Sequence, residues 1–172
     1  MSSLVIRSIF SFLFLVILQV LILNNIQLGG FINPYIYVLF LLMLPLQTPR
    51  WASLFLGFAL GLVIDVFSQT YGLHTAATLF MVYLRPFVLR FMAPRDDYEF
   101  GARPSIRDMG VVWFLSYAGV LVVIHHLTLF FLEVFRFDEF LTTLLRAALS
   151  SVFSLGLIIL TQFLTYSERK TT

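Results

Sequence analysis

Six apolar runs separated by short polar turns carry the chain, at residues 4–23, 34–47, 51–67, 73–92, 109–132 and 140–166. They lack the apolar–polar alternation of a barrel strand, and most approach the roughly 20 residues that cross a bilayer as a helix. The pattern predicts an all-α integral membrane protein, a compact bundle of six transmembrane helices in a single domain. The third run is interrupted by one carboxylate, Asp65, near its far end. A charge inside hydrocarbon costs about 2.5–3.5 kcal/mol on insertion scales, so Asp65 marks a face turned inward toward a partner. Stepping back one turn at a time gives Gly61, Gly57 and Ser53, a small-residue stripe containing a GxxxG pair. That stripe predicts a groove where another helix or a ligand can approach the backbone, and plain helix packing is its simpler use. Gly72 closes the polar turn that follows.

The other boundaries follow from caps and breakers. The first run, Leu4 to Leu23 with Arg7 near its start, is long for a signal peptide, and Leu23-Asn24-Asn25 is no small-residue cleavage site, so it reads as a retained anchor. After the uncharged stretch ending in Gly29 and Gly30, Asn33 and Pro34 have N-cap and first-turn chemistry for a second helix. From residue 34 to 47 that helix rises only about 21 Å, short of a hydrocarbon core of about 30 Å, and Pro45 interrupts its last turn. It either tilts, thins the bilayer or re-enters. Thr48-Pro49 opens the third helix, and Ser105 with Asp108 resembles a capping box before the fifth. The acidic turn Asp138-Glu139 opens the sixth.

Composition fits this reading: 60% of the 172 residues are hydrophobic, 12% are charged, and 20 are Phe. Mean hydropathy is +0.96. There is no cysteine, which excludes disulfides and thiolate metal sites. With six spans, Arg7, Arg50, Arg85, Arg90, Arg95, Arg103, Arg107, Arg169 and Lys170 fall on one side, nine of the eleven Lys and Arg, leaving Arg136 and Arg146 toward the other. Both termini are therefore expected to be cytoplasmic. A five-span arrangement with the second helix re-entrant places Arg7 opposite the others.

The unusual polar residues share a depth. Asp65, His74, His125, His126 and Arg146 all fall in the outer half, which predicts a polar pocket or docking surface near the non-cytoplasmic face. Ser150 and Ser154 extend it from Arg146, and Ser116, Gly119, Val123 and His126 lie along one face of the fifth helix. Asp65 with Arg146 forms either a buried ion pair joining the third and sixth helices or part of a ligand or partner site. For His74 the simpler reading is a hydrogen-bonding end group at the interface. His125 and His126 project about 100° apart, so at most one is expected to face the interior, and no metal pair is predicted. The charged loop 93–108, with Asp96, Asp97 and Glu99 among its acids, reads as a solvated cytoplasmic connection whose Arg residues could meet anionic lipid. Without HExxH, GxSxG or a Gly-rich phosphate loop with Lys, no enzyme and no cofactor is expected.

The run Gly61 to Ala77, G-L-V-I-D-V-F-S-Q-T-Y-G-L-H-T-A-A, resembles the rod shape-determining MreD family through Gly61, Asp65, Gly72, Leu73 and His74. The resemblance implies a small inner-membrane protein of five or six spans in the cell-elongation machinery. Its implied partners are MreC directly, with MreB, RodA and a class B penicillin-binding protein in the same complex. The family also resembles in fold the substrate-binding membrane subunits of energy-coupling-factor vitamin transporters, which have an outward-facing pocket. The expected function is thus a non-enzymatic scaffold in which the groove around Asp65, with His74, His126 and Arg146, receives part of MreC. A substrate-binding subunit of a vitamin-type transporter is the alternative, and a membrane enzyme using Asp65 and a His lacks a nucleophile. The charged segment from Pro94 to Asp108 has no counterpart in the family pattern.

Overall fold

The computed structural model describes residues 2–26, 31–94, 97–98, 101–135 and 139–165, with the side chains of residues 2–5 and 7 left outside that description. Gly29, Gly30, Arg95, Asp96, Glu99, Arg136, Asp138, Glu168, Arg169 and Lys170, and the Arg7 side chain, fall outside it. The described elements are helical: α1 (Ser2–Leu21), a 3-10 turn (Leu23–Asn25), α2 (Val38–Leu42), α3 (Arg50–Ser68), α4 (Leu73–Phe91), α5 (Ile106–Met109), α6 (Val111–Val134) and α7 (Phe140–Leu164). Among them α1 with its following turn, α3, α6 and α7 are long and apolar enough to cross a membrane, which by length and composition describes a multi-pass membrane protein. Helix α4 matches α3 at 19 residues but carries Arg85 and Arg90.

The second apolar run departs most from expectation. Only the five residues of α2 are α-helical, and α2 is wholly buried. Lipid cannot hydrogen-bond an irregular backbone, so such a segment is stable only where protein groups satisfy it. Here they do. The amides of Asn33 and Tyr35 donate to the Ser150 and Ser154 hydroxyls at 3.1 and 2.8 Å. Gln19 accepts from the Ile36 amide at 2.9 Å and donates to the Pro34 carbonyl at 3.0 Å. At the far end Tyr117 donates to the Leu42 carbonyl at 3.0 Å, and the buried Arg85 guanidinium donates to Leu44. Asn33-Pro34 therefore does not cap a helix, because side chains of α1 and α7 capture the amides that a first turn would have used. The strap runs beside α7 from the level of Ser150 to that of Gln162, which donates to the Met43 sulfur, a path of about 18 Å.

Helices α3 and α4 form a tight antiparallel hairpin, and the small-residue stripe is its seam. A Cβ added at Gly61 would lie 2.5 Å from Thr75 Cα and 2.5 Å from Thr78 Oγ1, and one at Gly57 would lie 3.2 Å from Val82 Cγ2. Ser53 is buried on the same line. The groove is thus filled by the chain's own next helix and is not open to a partner. Gly72 serves differently: a Cβ there meets nothing, but its φ of +86° is the left-handed conformation that the turn into α4 requires.

Helix α6 packs between α4 and α7. Its buried side carries Tyr117, Leu121, His125, His126 and Phe130, whereas Ser116 and Val123 are exposed, so the predicted Ser116–Gly119–Val123 face is not the inner one. The loop before α6 is also more than a solvated connection. Pro104, Ser105 and Ile106 are buried, and the Ile106 amide faces Gln162 Oε1 at 3.4 Å. Ser105 accepts from the Asp108 amide at 3.1 Å, capping the four-residue α5, and Gly110 at φ +86° separates it from α6. Tyr98 donates to the Leu89 carbonyl at 2.7 Å and meets Trp113 edge-on. Burial lifts the Tyr98 phenol above its ordinary value, which keeps it a donor.

Candidate functional site

At the end of the bundle where α3 turns into α4, the polar side chains converge on two tyrosines of the strap. The Tyr37 hydroxyl lies 2.8 Å from His74 Nδ1 and 2.7 Å from His125 Nε2, with all three residues buried. One phenolic proton serves two ring nitrogens, so Tyr37 donates to one histidine and accepts from the other. His125 Nδ1 has no partner. An unpaired acceptor there costs less than an unpaired N–H, which assigns the donated proton of this pair to His125 Nε2 and the phenolic proton to His74 Nδ1. His126 is fixed more firmly. Its Nδ1 lies 2.8 Å from the Val122 carbonyl and must donate, so Nε2 accepts from Ser154 Oγ at 3.0 Å while that hydroxyl accepts from the Tyr35 amide. The Tyr35 ring packs within 6.0 Å of all three imidazoles. Both His125 and His126 therefore face protein, contrary to the expectation of one, because α6 is flanked by helices on two sides and the strap fills the space between.

Asp65 is buried beside this cluster and is fully engaged. Oδ1 accepts from Thr70 Oγ1 at 2.6 Å and the His74 amide at 3.0 Å, while Oδ2 accepts from the Thr75 amide at 2.9 Å and Thr75 Oγ1 at 2.6 Å. The N-cap of α4 is Gly72, which has no side chain with which to accept. Asp65 supplies that acceptor from the preceding helix, and its negative charge sits at the positive end of the α4 dipole. The spacing from Asp65 to Thr75 thus encodes a helical hairpin that caps itself.

Arg146 does not reach Asp65. Its Nη1 donates to Glu133 Oε1 at 3.2 Å, and its guanidinium lies 4.3 Å from the centroid of the Phe130 ring. The ion pair joins α6 to α7, and of the two readings of Asp65 with Arg146 the pair joining α3 to α7 does not form, because the carboxylate is consumed by the α4 amides. A double-mutant cycle checks this assignment. Asp65→Asn combined with Arg146→Met should show no coupling, whereas Glu133→Gln with Arg146→Met should show about 0–1 kcal/mol, small because both groups are partly exposed. Coupling of the first pair above that of the second would overturn it.

A cavity of about 480 Å³ opens at this end, lined by Asn24, Asn33, Tyr35, Ser68, Gln69, Thr70, His74 and Glu133 together with Leu23, Pro34, Phe67, Leu73 and Leu129. Of the predicted pocket residues His74 lines it directly. His126 and Arg146 stand behind its wall through Tyr35 and Glu133, and Asp65 holds its floor through Thr70. Amides, hydroxyls and one carboxylate at the mouth suit hydrogen bonding to a polar ligand or a partner's backbone. Sequence reasoning did not single out Tyr35, Tyr37, Gln19 or Arg85. Arg85 and Gln19 each leave a signal, a cation and an amide well inside apolar runs, whereas a tyrosine in an apolar run leaves none. No family model matches this chain, and comparison with curated proteins and with solved structures found no match.

Proposed function

We propose that this chain is a non-enzymatic membrane scaffold of MreD type, crossing a bacterial inner membrane six times with both termini cytoplasmic. In this reading it binds MreC in a complex with MreB, RodA and a class B penicillin-binding protein, linking the cytoskeleton to peptidoglycan synthesis. The observation that carries it is the Asp65–Thr75 hairpin. Of the five residues that bear the family resemblance, Gly61, Asp65, Gly72 and His74 build the close approach, the cap, the turn and the tyrosine bridge. A six-crossing path is supported by the strap, which descends beside α7 between α1 and α3, and by the α3–α4 turn and the Glu133–Arg146 pair lying at one end. Because α4 fills the groove at Asp65, the partner's place in this reading is the polar cavity beside His74 and Glu133. A scaffold role also fits a carboxylate with every strong acceptor position occupied, since acid–base work would require breaking the α4 cap.

The polar cavity equally favours a second reading, a substrate-binding subunit of a vitamin-type transporter, in which it would hold a small polar solute. Affinity purification of the tagged chain from native membranes after limited crosslinking, with identification by mass spectrometry, separates the two. Recovery of MreC and wall-synthesis proteins is expected. Recovery of a coupling ATPase with its membrane subunit, and no MreC, would overturn the scaffold reading in favour of the transporter.

A further inference from the structure

The outward face of the α3–α4 hairpin carries an arrangement that neither the core nor the cavity uses. On α4, Phe80, Tyr83, Phe87 and Phe91 recur at three- and four-residue steps and are 47%, 57%, 48% and 92% exposed. They form one aromatic stripe about 16 Å long, close to the thickness of one leaflet of a hydrocarbon core of about 30 Å. Exposed aromatics in a membrane helix need no further explanation, but this stripe ends in charge. Arg90 is exposed on the same helix face as Phe87, three residues on, and the Arg50 guanidinium reaches across from α3 to lie 5.8 Å from the Phe87 centroid. Trp51 stands beside Arg50, 74% exposed. The same end of the bundle holds Arg85, Arg103 and Arg107, and the described acids there are Asp97 and Asp108, the latter accepting from the Arg103 amide. Two cations therefore stand at one end of the aromatic stripe, Arg50 over the Phe87 ring and Arg90 on the same face of α4, with no described carboxylate paired to either.

We propose that this face is a binding site for one anionic phospholipid, with the phosphate held between Arg50 and Arg90 and an acyl chain along Phe80, Tyr83, Phe87 and Phe91. Each basic side chain near an anionic headgroup is worth roughly fivefold in affinity, so two engaged arginines select anionic over zwitterionic lipid well beyond a single charge. The site is independent of the scaffold and transporter readings, because it lies on the outside of the hairpin and uses none of the cavity residues.

Trp51 provides the readout. The purified chain with Trp113→Phe, leaving Trp51 as its only tryptophan, is reconstituted with dibrominated phosphatidylcholine or dibrominated phosphatidylglycerol, and quenching is measured. Phosphatidylglycerol should quench Trp51 at several-fold lower mole fraction, Arg50→Gln or Arg90→Gln should each remove roughly fivefold of that preference, and Arg107→Gln should leave it unchanged. Equal quenching by the two lipids would overturn the site, as would an Arg107→Gln effect as large as that of Arg50→Gln, which would mean diffuse surface charge. Should Trp113→Phe fail to fold, retention of phosphatidylglycerol by the otherwise unmodified chain in native mass spectrometry, and its loss on Arg50→Gln with Arg90→Gln, decides the same question.

Discussion

Asp65→Leu is expected to cause the largest loss of stability of any single substitution in α3. The change leaves the His74 and Thr75 amides of α4 without an acceptor in a buried, low-dielectric site, while the Thr70 and Thr75 hydroxyls can rotate toward other carbonyls. An unsatisfied buried donor costs about 1–3 kcal/mol, so the two amides together predict roughly 2–6 kcal/mol, with the favourable charge–dipole term lost as well. Asp65→Asn should fall between, since one acceptor oxygen remains while an NH₂ group is turned against a donor. Heating in detergent followed by fluorescence-detected size exclusion measures the effect directly. A midpoint for Asp65→Leu equal to that of the parent would show that the carboxylate is not the cap. The loss of any partner on Asp65→Leu is then indirect, through the hairpin, and Asp65→Asn compared at equal folded amounts should retain the partner.

The glycines of the seam should separate sharply from those outside it. Gly61→Ala places a methyl group 2.5 Å from backbone and side-chain atoms of α4, so the helices must part along the line that also carries the Thr78 hydroxyl, 3.0 Å from the Gly57 carbonyl. Overpacking of this kind typically costs about 1–3 kcal/mol, and because the neighbour is the Thr75 backbone the upper end is expected. Gly57→Ala meets only the Val82 side chain at 3.2 Å and should cost less. Gly119→Ala has open space around its Cβ and should be neutral or stabilising by up to about 1 kcal/mol through helix propensity. The same thermal assay orders the three, and a Gly119→Ala loss equal to that of Gly61→Ala would contradict the packing.

The apolar pattern of the chain alone places the long helices. The bounds of α3, α4, α6 and α7 agree with the apolar runs to within a few residues, because span length and breakers such as Pro49 and Gly72 are local properties. The residue types also determined that Asp65 needs an inward partner and that Gly57 and Gly61 mark a close approach, since desolvation and the absence of a Cβ do not depend on which neighbour arrives. Which neighbour arrives was decided by tertiary structure. Asp65 could have met Arg146, but the α4 amides lie nine and ten residues away and reach it first. The segment 33–45 has the composition of a helix, and only the distant Gln19, Arg85, Tyr117, Ser150 and Ser154 make its strap form stable, by satisfying a backbone that lipid would leave bare. Tyr37 could not be recognised as the bridge between His74 and His125 for the same reason. Its partners stand 37 and 88 residues away, and no periodicity within one helix records a hydrogen bond made across three elements.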